Sequence, residues 1–230
     1  MDIHRSKPIH SGREFAKEVG IIVLGVLIAL AAEQLVDTLR WRAAVGAGRE
    51  ALHREIAFDD GYLRDRLTIA PCVDRRIAAV TGLIAASANG QPAAHLGQPS
   101  FIGPGRLTLM AEWNAEQASQ TLTHFPRKEL SRLGIWYDQL QTMQGWIEQE
   151  EIAWAHLGAL ASKGPLGAQD VALLRQDLQE ARYLEVLMSL NARRELERGR
   201  ELGVTPDPPH QTFVDAICNA PADQPLSEAG

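Results

Sequence analysis

The chain is poor in the residues that most often announce a function. Its two cysteines, Cys72 and Cys218, lie far apart in 230 residues. Neither belongs to a CxxC pair or has a histidine at ligand spacing, which excludes a zinc finger or dithiol motif. Clusters of β-branched residues are rare and no stretch alternates apolar and polar residues for long, which excludes a sheet-based fold. No GxSxG turn occurs, and Gly103-Pro104-Gly105 lacks the preceding strand and the following lysine of a phosphate loop. Positive charge is also short, with 23 Lys and Arg against 29 Asp and Glu. A net charge of -6 without a basic stripe argues against nucleic acid as a partner. Among the seven histidines, His53 with Glu55 and Glu151 with His156 miss the spacing that puts two ligands on one helical face, and His124 stands alone. No catalytic, cofactor or metal site is expected, and the chain is not read as an enzyme.

Long apolar runs are equally scarce, and the single exception dominates the chain. From Val19 to Ala32 the sequence is apolar without a break, behind a leader carrying Arg5, Lys7, Arg13 and Lys17. Counting on to Val36, with Glu33 and Gln34 in the last turn, gives the length of a spanning helix. Ala29-Leu30-Ala31 also fits a signal-peptidase site, but the helical pattern runs past it into Leu35, Leu39, Trp41 and Val45. A surface amphipathic helix is excluded because the run has no polar face.

The chain therefore divides into a basic tail (1–18), a transmembrane anchor (19–36), a helical body (37–219) and a disordered tail (220–230). Arg40, Arg42, Arg49 and Arg54 match the charge of the leader, so the positive-inside rule is nearly tied. A long domain is translocated largely regardless of its charge, which favours a cytoplasmic tail and a periplasmic body at a bacterial inner membrane. In that compartment Cys72 and Cys218 form a disulfide; in a reducing one they are two buried thiols.

The body reads as all-α, an antiparallel helical bundle rich in Ala, Leu, Glu, Gln and Arg. The first helix is expected to run out of the membrane as far as Pro71, and a second from Val73 to about Ala88, stopped by Asn89-Gly90. The Gly- and Pro-rich stretch 89–105 is the longest loop, and a third helix is expected over about 107–122. The fourth, from Pro126 to about Ser162, carries Leu133, Leu140, Ile147, Trp154 and Ala161 every seven residues, interleaved with Trp136, Met143, Glu150 and Leu157. That is an a/d seam. A fifth helix over about 169–202 presents Val171, Leu174, Leu178, Ala181 and Met188, and a short sixth carries Phe213, Ile217 and Cys218.

Three features point toward function. Gly25, Ala29 and Ala32 form a small-residue face on which another membrane helix, or a second copy, can pack closely. Trp113, Trp136, Trp146 and Trp154 either line a pocket or belong to the core. Glu150 is the one ionisable residue in the seam. It is expected to pair with Arg175 or Arg182, to rotate to the surface, or to mark a pocket.

The run from Glu18 to Leu30, with Gly20 and Gly25, resembles the opening of an uncharacterised family of bacterial single-pass membrane proteins. The segment Ala111-Glu112-Trp113-Asn114-Ala115-Glu116-Gln117-Ala118, with Tyr137, Gln139 and Leu140, is similar to the middle of that group. The chain departs from it at Ala31-Ala32-Glu33-Gln34, where Gln or Asn is usual. The resemblance implies a Glu-led anchor and a helical body, and no known reaction. The function expected is a membrane-anchored scaffold or interaction protein in contact with the lipid bilayer; the alternative is a periplasmic ligand-sensing bundle.

Overall fold

A computed structural model describes residues 12–90, 100–161 and 166–219; the first eleven residues and the tail from residue 220 lie outside them. The described residues are mostly helical with no strand, and the helices pack against one another. In order they are α1 (Gly12–Ala88), α2 (Ala111–Ala118), α3 (Arg127–Leu157), α4 (Ala168–Glu201) and α5 (Gln211–Cys218), with 3₁₀ turns at Thr121–His124 and Gly158–Ala161.

The largest departure from the sequence reading is α1, a single helix of 77 residues in which Pro71 is an interior residue rather than a stop. Proline removes one backbone donor and crowds the carbonyl four residues earlier. Pro71 is exposed while Cys72 and Val73 beside it are buried, so the proline lies on the solvent side of the helix. At about 1.5 Å per residue the helix is about 115 Å long. It ends where expected, with Gly90 at φ 82° and its N–H donating to the Ser87 carbonyl at 3.1 Å.

Every described residue from Gly12 to Arg40 is exposed, and burial begins at Val45. The apolar stretch is the one candidate membrane span among the described residues, and none of it is buried. Beyond it the chain folds back on α1 repeatedly. Residues 100–110 descend along α1 without regular structure, and α2 continues toward the foot of the bundle. From there α3 climbs parallel to α1, and α4 returns antiparallel, packing closely against both. The seam of α3 is buried from Leu133 to Leu157; Ala161 is exposed, because the helix tightens into a 3₁₀ turn before reaching it.

The core has three layers along the bundle. The foot holds Val45, Leu52, Ile56, Leu133, Trp136 and Tyr137. The middle holds Tyr62, Leu63, Met143, Ile147, Met188 and Leu196, and the top Val73, Ile77, Trp154, Leu157, Val171, Leu174 and Leu178. Helix α4 stops at Gly203, φ 82°, where the Val204 N–H reaches back to the Gly199 carbonyl and Val204 is buried. This left-handed glycine cap turns the chain onto α1 again. Cys218, at the end of α5, is bonded to Cys72 with their Cα atoms 5.2 Å apart.

The third helix starts later than expected, at Ala111. The reason is local competition: the N–H groups of Thr108 and Leu109 donate to the side chains of Gln144 and Asp59 instead of entering a helix.

Candidate functional site: a charged spine inside the bundle

Six Asp, Glu and Arg residues of α1 are buried: Glu55, Asp59, Asp60, Asp65, Arg66 and Arg76. At about 100° per residue, Glu55, Asp59 and Arg66 fall within about 40° of one another. They share that stripe with Leu52, Ile56, Leu63 and Val73, so the helix places charge in the middle of its own apolar face.

At the centre, the Arg66 guanidinium donates to both oxygens of Glu150, at 2.7 and 2.6 Å, and also to Glu185 of α4. Arg66 and Glu150 are fully buried. The second Glu185 oxygen accepts from the Ser189 hydroxyl at 2.9 Å. One guanidinium thus ties α1, α3 and α4 together with a bidentate geometry that lysine cannot supply. Two carboxylates share one cation, and burial pushes both carboxyls upward from their usual range while Arg66 opposes the shift. The seam position of Glu150 is as the sequence indicates, but the expected partners are not: Arg175 and Arg182 are replaced by Arg66, 84 residues away. The reading of Glu150 as a surface residue is also overturned.

The remaining carboxylates of the spine hold the chain segments that wrap α1. Glu55 accepts the N–H groups of Glu112 and Trp113 in the first turn of α2, at 2.8 and 3.3 Å, and the Tyr137 hydroxyl at 2.9 Å. It thereby takes the place of an N-cap on α2, whose own cap residue, Met110, makes no side-chain bond. Asp59 accepts the Leu109 N–H at 3.0 Å. Asp65 accepts both the backbone N–H of His210 and its ring Nδ1, just ahead of α5. Arg76 donates to the carbonyls of Ile102 and Ile217, one on each wrapping segment. The charges of α1 satisfy backbone groups that irregular segments would otherwise bury unpaired.

Asp60 differs from these. It faces α4, packed on Gly199 so tightly that a Cβ there would overlap its carboxyl oxygen. Burial, with Glu195 across the interface, raises the Asp60 carboxyl to about 7. Burial likewise raises Glu195 to about 7 and Asp59 to about 8. Near pH 7 Asp59 is therefore mostly protonated, and Asp60 and Glu195 are each about half so.

The four tryptophans do not converge. Trp136 and Trp154 are fully buried in the foot and top layers, Trp113 stacks on Tyr137 at 4.5 Å, and Trp146 packs on the middle layer. Among the described residues no three His, Cys, Asp or Glu are grouped as metal ligands. Gly25, Ala29 and Ala32 are exposed, with open space where a Gly25 Cβ would stand.

Sequence reasoning passed over one seam. Leu52, Asp59, Arg66, Val73 and Val80 recur every seven residues, with Ile56, Leu63, Ala70, Ile77 and Ile84 four later. Charged residues at two successive positions of that pattern were the signal for the spine.

An open groove of about 750 Å³ lies at the foot of the bundle, where α1 leaves the apolar stretch and meets the start of α3. The Trp41 and His124 rings stack across it with centroids 3.7 Å apart. Compared with known family models, curated proteins and solved structures, the chain matches none.

Proposed function

We propose that the protein is a single-pass, membrane-anchored helical scaffold that holds its bundle outside a bacterial inner membrane and assembles through its anchor. The observation that carries this reading is the continuity of α1. One helix begins as an apolar rod with no residue buried and becomes, without a break, the central pillar of the folded body. A rod that exposes Ile21 and Ile28 by 71% and 61% is unfavourable in water and favourable in hydrocarbon. The Cys72–Cys218 bond supports an oxidising compartment for the body. The likeness of the anchor to the single-pass family points the same way.

The spine supports a structural rather than a chemical role, since its carboxylates are buried and three of them are engaged with the chain's own backbone. The ligand-sensing alternative relied on one pocket shared by the tryptophans, and they are distributed over three layers. Protease added to intact spheroplasts is expected to digest the body and leave the anchor in the membrane pellet after alkaline washing. A body protected until lysis overturns the topology, and a chain released by alkaline washing overturns the anchor.

A further inference from the structure

We infer that the groove at the foot of the bundle binds a phospholipid headgroup carrying both a phosphate and a primary ammonium. The inference deepens the anchored reading and rests on it for the depth at which the groove sits. The groove lining on α1 begins at Gln34, in the last turn of the apolar stretch. At about 1.5 Å per residue, Asp37 to Arg42 lie about 2 to 9 Å beyond Val36. A headgroup layer is about 5 to 8 Å thick on each side of the hydrocarbon. The groove therefore opens at headgroup depth.

Its charges are complementary to such a headgroup. Arg49 is already committed, donating to both oxygens of Glu129. Arg42 and Asp37 line the groove and are exposed, and among the described residues neither has an ion-pair partner. The Arg42 fork matches a phosphate. Pro126, at the N-terminal end of α3, also lines the groove, so the orphan first-turn N–H groups and positive dipole end of that helix add to the attraction. Asp37 is an acceptor for the N–H groups of a primary ammonium, and the stacked Trp41 ring offers a π face to the same cation. A choline headgroup keeps the charge but has no N–H to give Asp37, so the groove should prefer ethanolamine headgroups over choline.

The test is native mass spectrometry of the full-length protein in mild detergent with equal amounts of phosphatidylethanolamine, phosphatidylcholine and phosphatidylglycerol. The expected result is an ethanolamine-lipid adduct about tenfold above the choline-lipid adduct, the size of one charge-assisted hydrogen bond. Asp37→Asn should erase that preference, and Arg42→Ala should weaken all three adducts; both sites are exposed, and an unchanged circular dichroism melt confirms folding. Equal adducts in the parent protein, or adducts unmoved by both substitutions, overturn the inference. Calorimetric titration with soluble phosphoethanolamine separates the source: binding as tight as that of the lipid overturns the lipid assignment. Flotation with vesicles tests the anchor separately. A chain that fails to float overturns the anchored reading and this inference with it, whereas one that floats but shows no headgroup preference overturns this inference alone.

Discussion

Between Val19 and Val36, α1 exposes isoleucine, leucine and valine on every side, whereas between Glu55 and Arg76 the same helix buries six Asp, Glu and Arg side chains. The two stretches share one backbone and one geometry, so the difference lies wholly in what covers them. The first stretch is covered by none of the other described residues and leaves its apolar side chains open. The second is covered by α4 and by segments with irregular backbone, whose N–H and C=O groups need polar partners that α1 supplies. Charge inside this bundle holds non-helical chain against α1 and, at Arg66, ties α1 to α3 and α4; the apolar stretch buries no such groups.

The comparison breaks most visibly at Arg66. Replacing it with Met leaves Glu150 and Glu185 buried without their cation, and we expect a loss of about 3 to 5 kcal/mol in urea unfolding followed by circular dichroism. Replacing Arg66, Glu150 and Glu185 together with apolar residues of similar volume should recover most of that loss. If the single change costs under about 1 kcal/mol, the spine does not hold the three helices together.

The next effect is the disulfide. Cys72→Ser with Cys218→Ser releases a loop closed over 146 positions. Chain entropy alone gives about 5 kcal/mol, and about 2 to 4 is the usual yield. The urea midpoint should fall accordingly while the anchor still partitions into vesicles, because the bond belongs only to the covered stretch. A midpoint unchanged under reducing conditions contradicts this.

Titration sharpens the contrast further. Asp59, Asp60 and Glu195 hold their protons in the folded state up to about 8, 7 and 7, against the ordinary carboxylate range when unfolded. The folded state therefore binds more protons than the unfolded state between about pH 4 and these values. The stability this confers is fully present below pH 4 and is lost as pH rises through 7 to 8. Each group contributes a slope of at most about 1.4 kcal/mol per pH unit. The urea midpoint should fall between pH 6 and 8.5, and Asp60→Asn should flatten the fall. A midpoint that rises over that range refutes the buried-acid assignment.

The smallest expected effect is on the uncovered stretch. Gly25→Leu with Ala29→Leu should lower the oligomeric state in mild detergent, with the unfolding of the body unchanged. An unchanged mass by light scattering removes self-association through that face.

How much of this was legible depends on the range of the interaction that decides it. The apolar run near the N-terminus and the α3 seam are signals contained in one stretch, and the structure shows both as helix, with Glu150 the odd member of its seam. Asn89-Gly90 also read correctly, since a cap is decided by neighbours. Pro71 misled because its cost depends on which side of the helix faces solvent, and a local rule does not carry that. The partner of Glu150 misled because Arg66 lies on a helix whose charges look like an ordinary solvated face until residues 100–110 and 204–210 are laid over them. Those segments have no periodicity of their own, so their docking on α1 was invisible.

The unbroken helix also fixes a bearing. In the anchored reading proposed above, the apolar stretch and the pillar of the body are one helix, so the direction the bundle faces around the membrane normal is set by the count of residues between Val36 and Val45. One residue added there swings the whole body by about 100° and lifts it by about 1.5 Å. The body behaves as a vane on a stiff shaft, and the surface it offers to neighbours in the membrane plane is specified by a number of peptide units rather than by any contact.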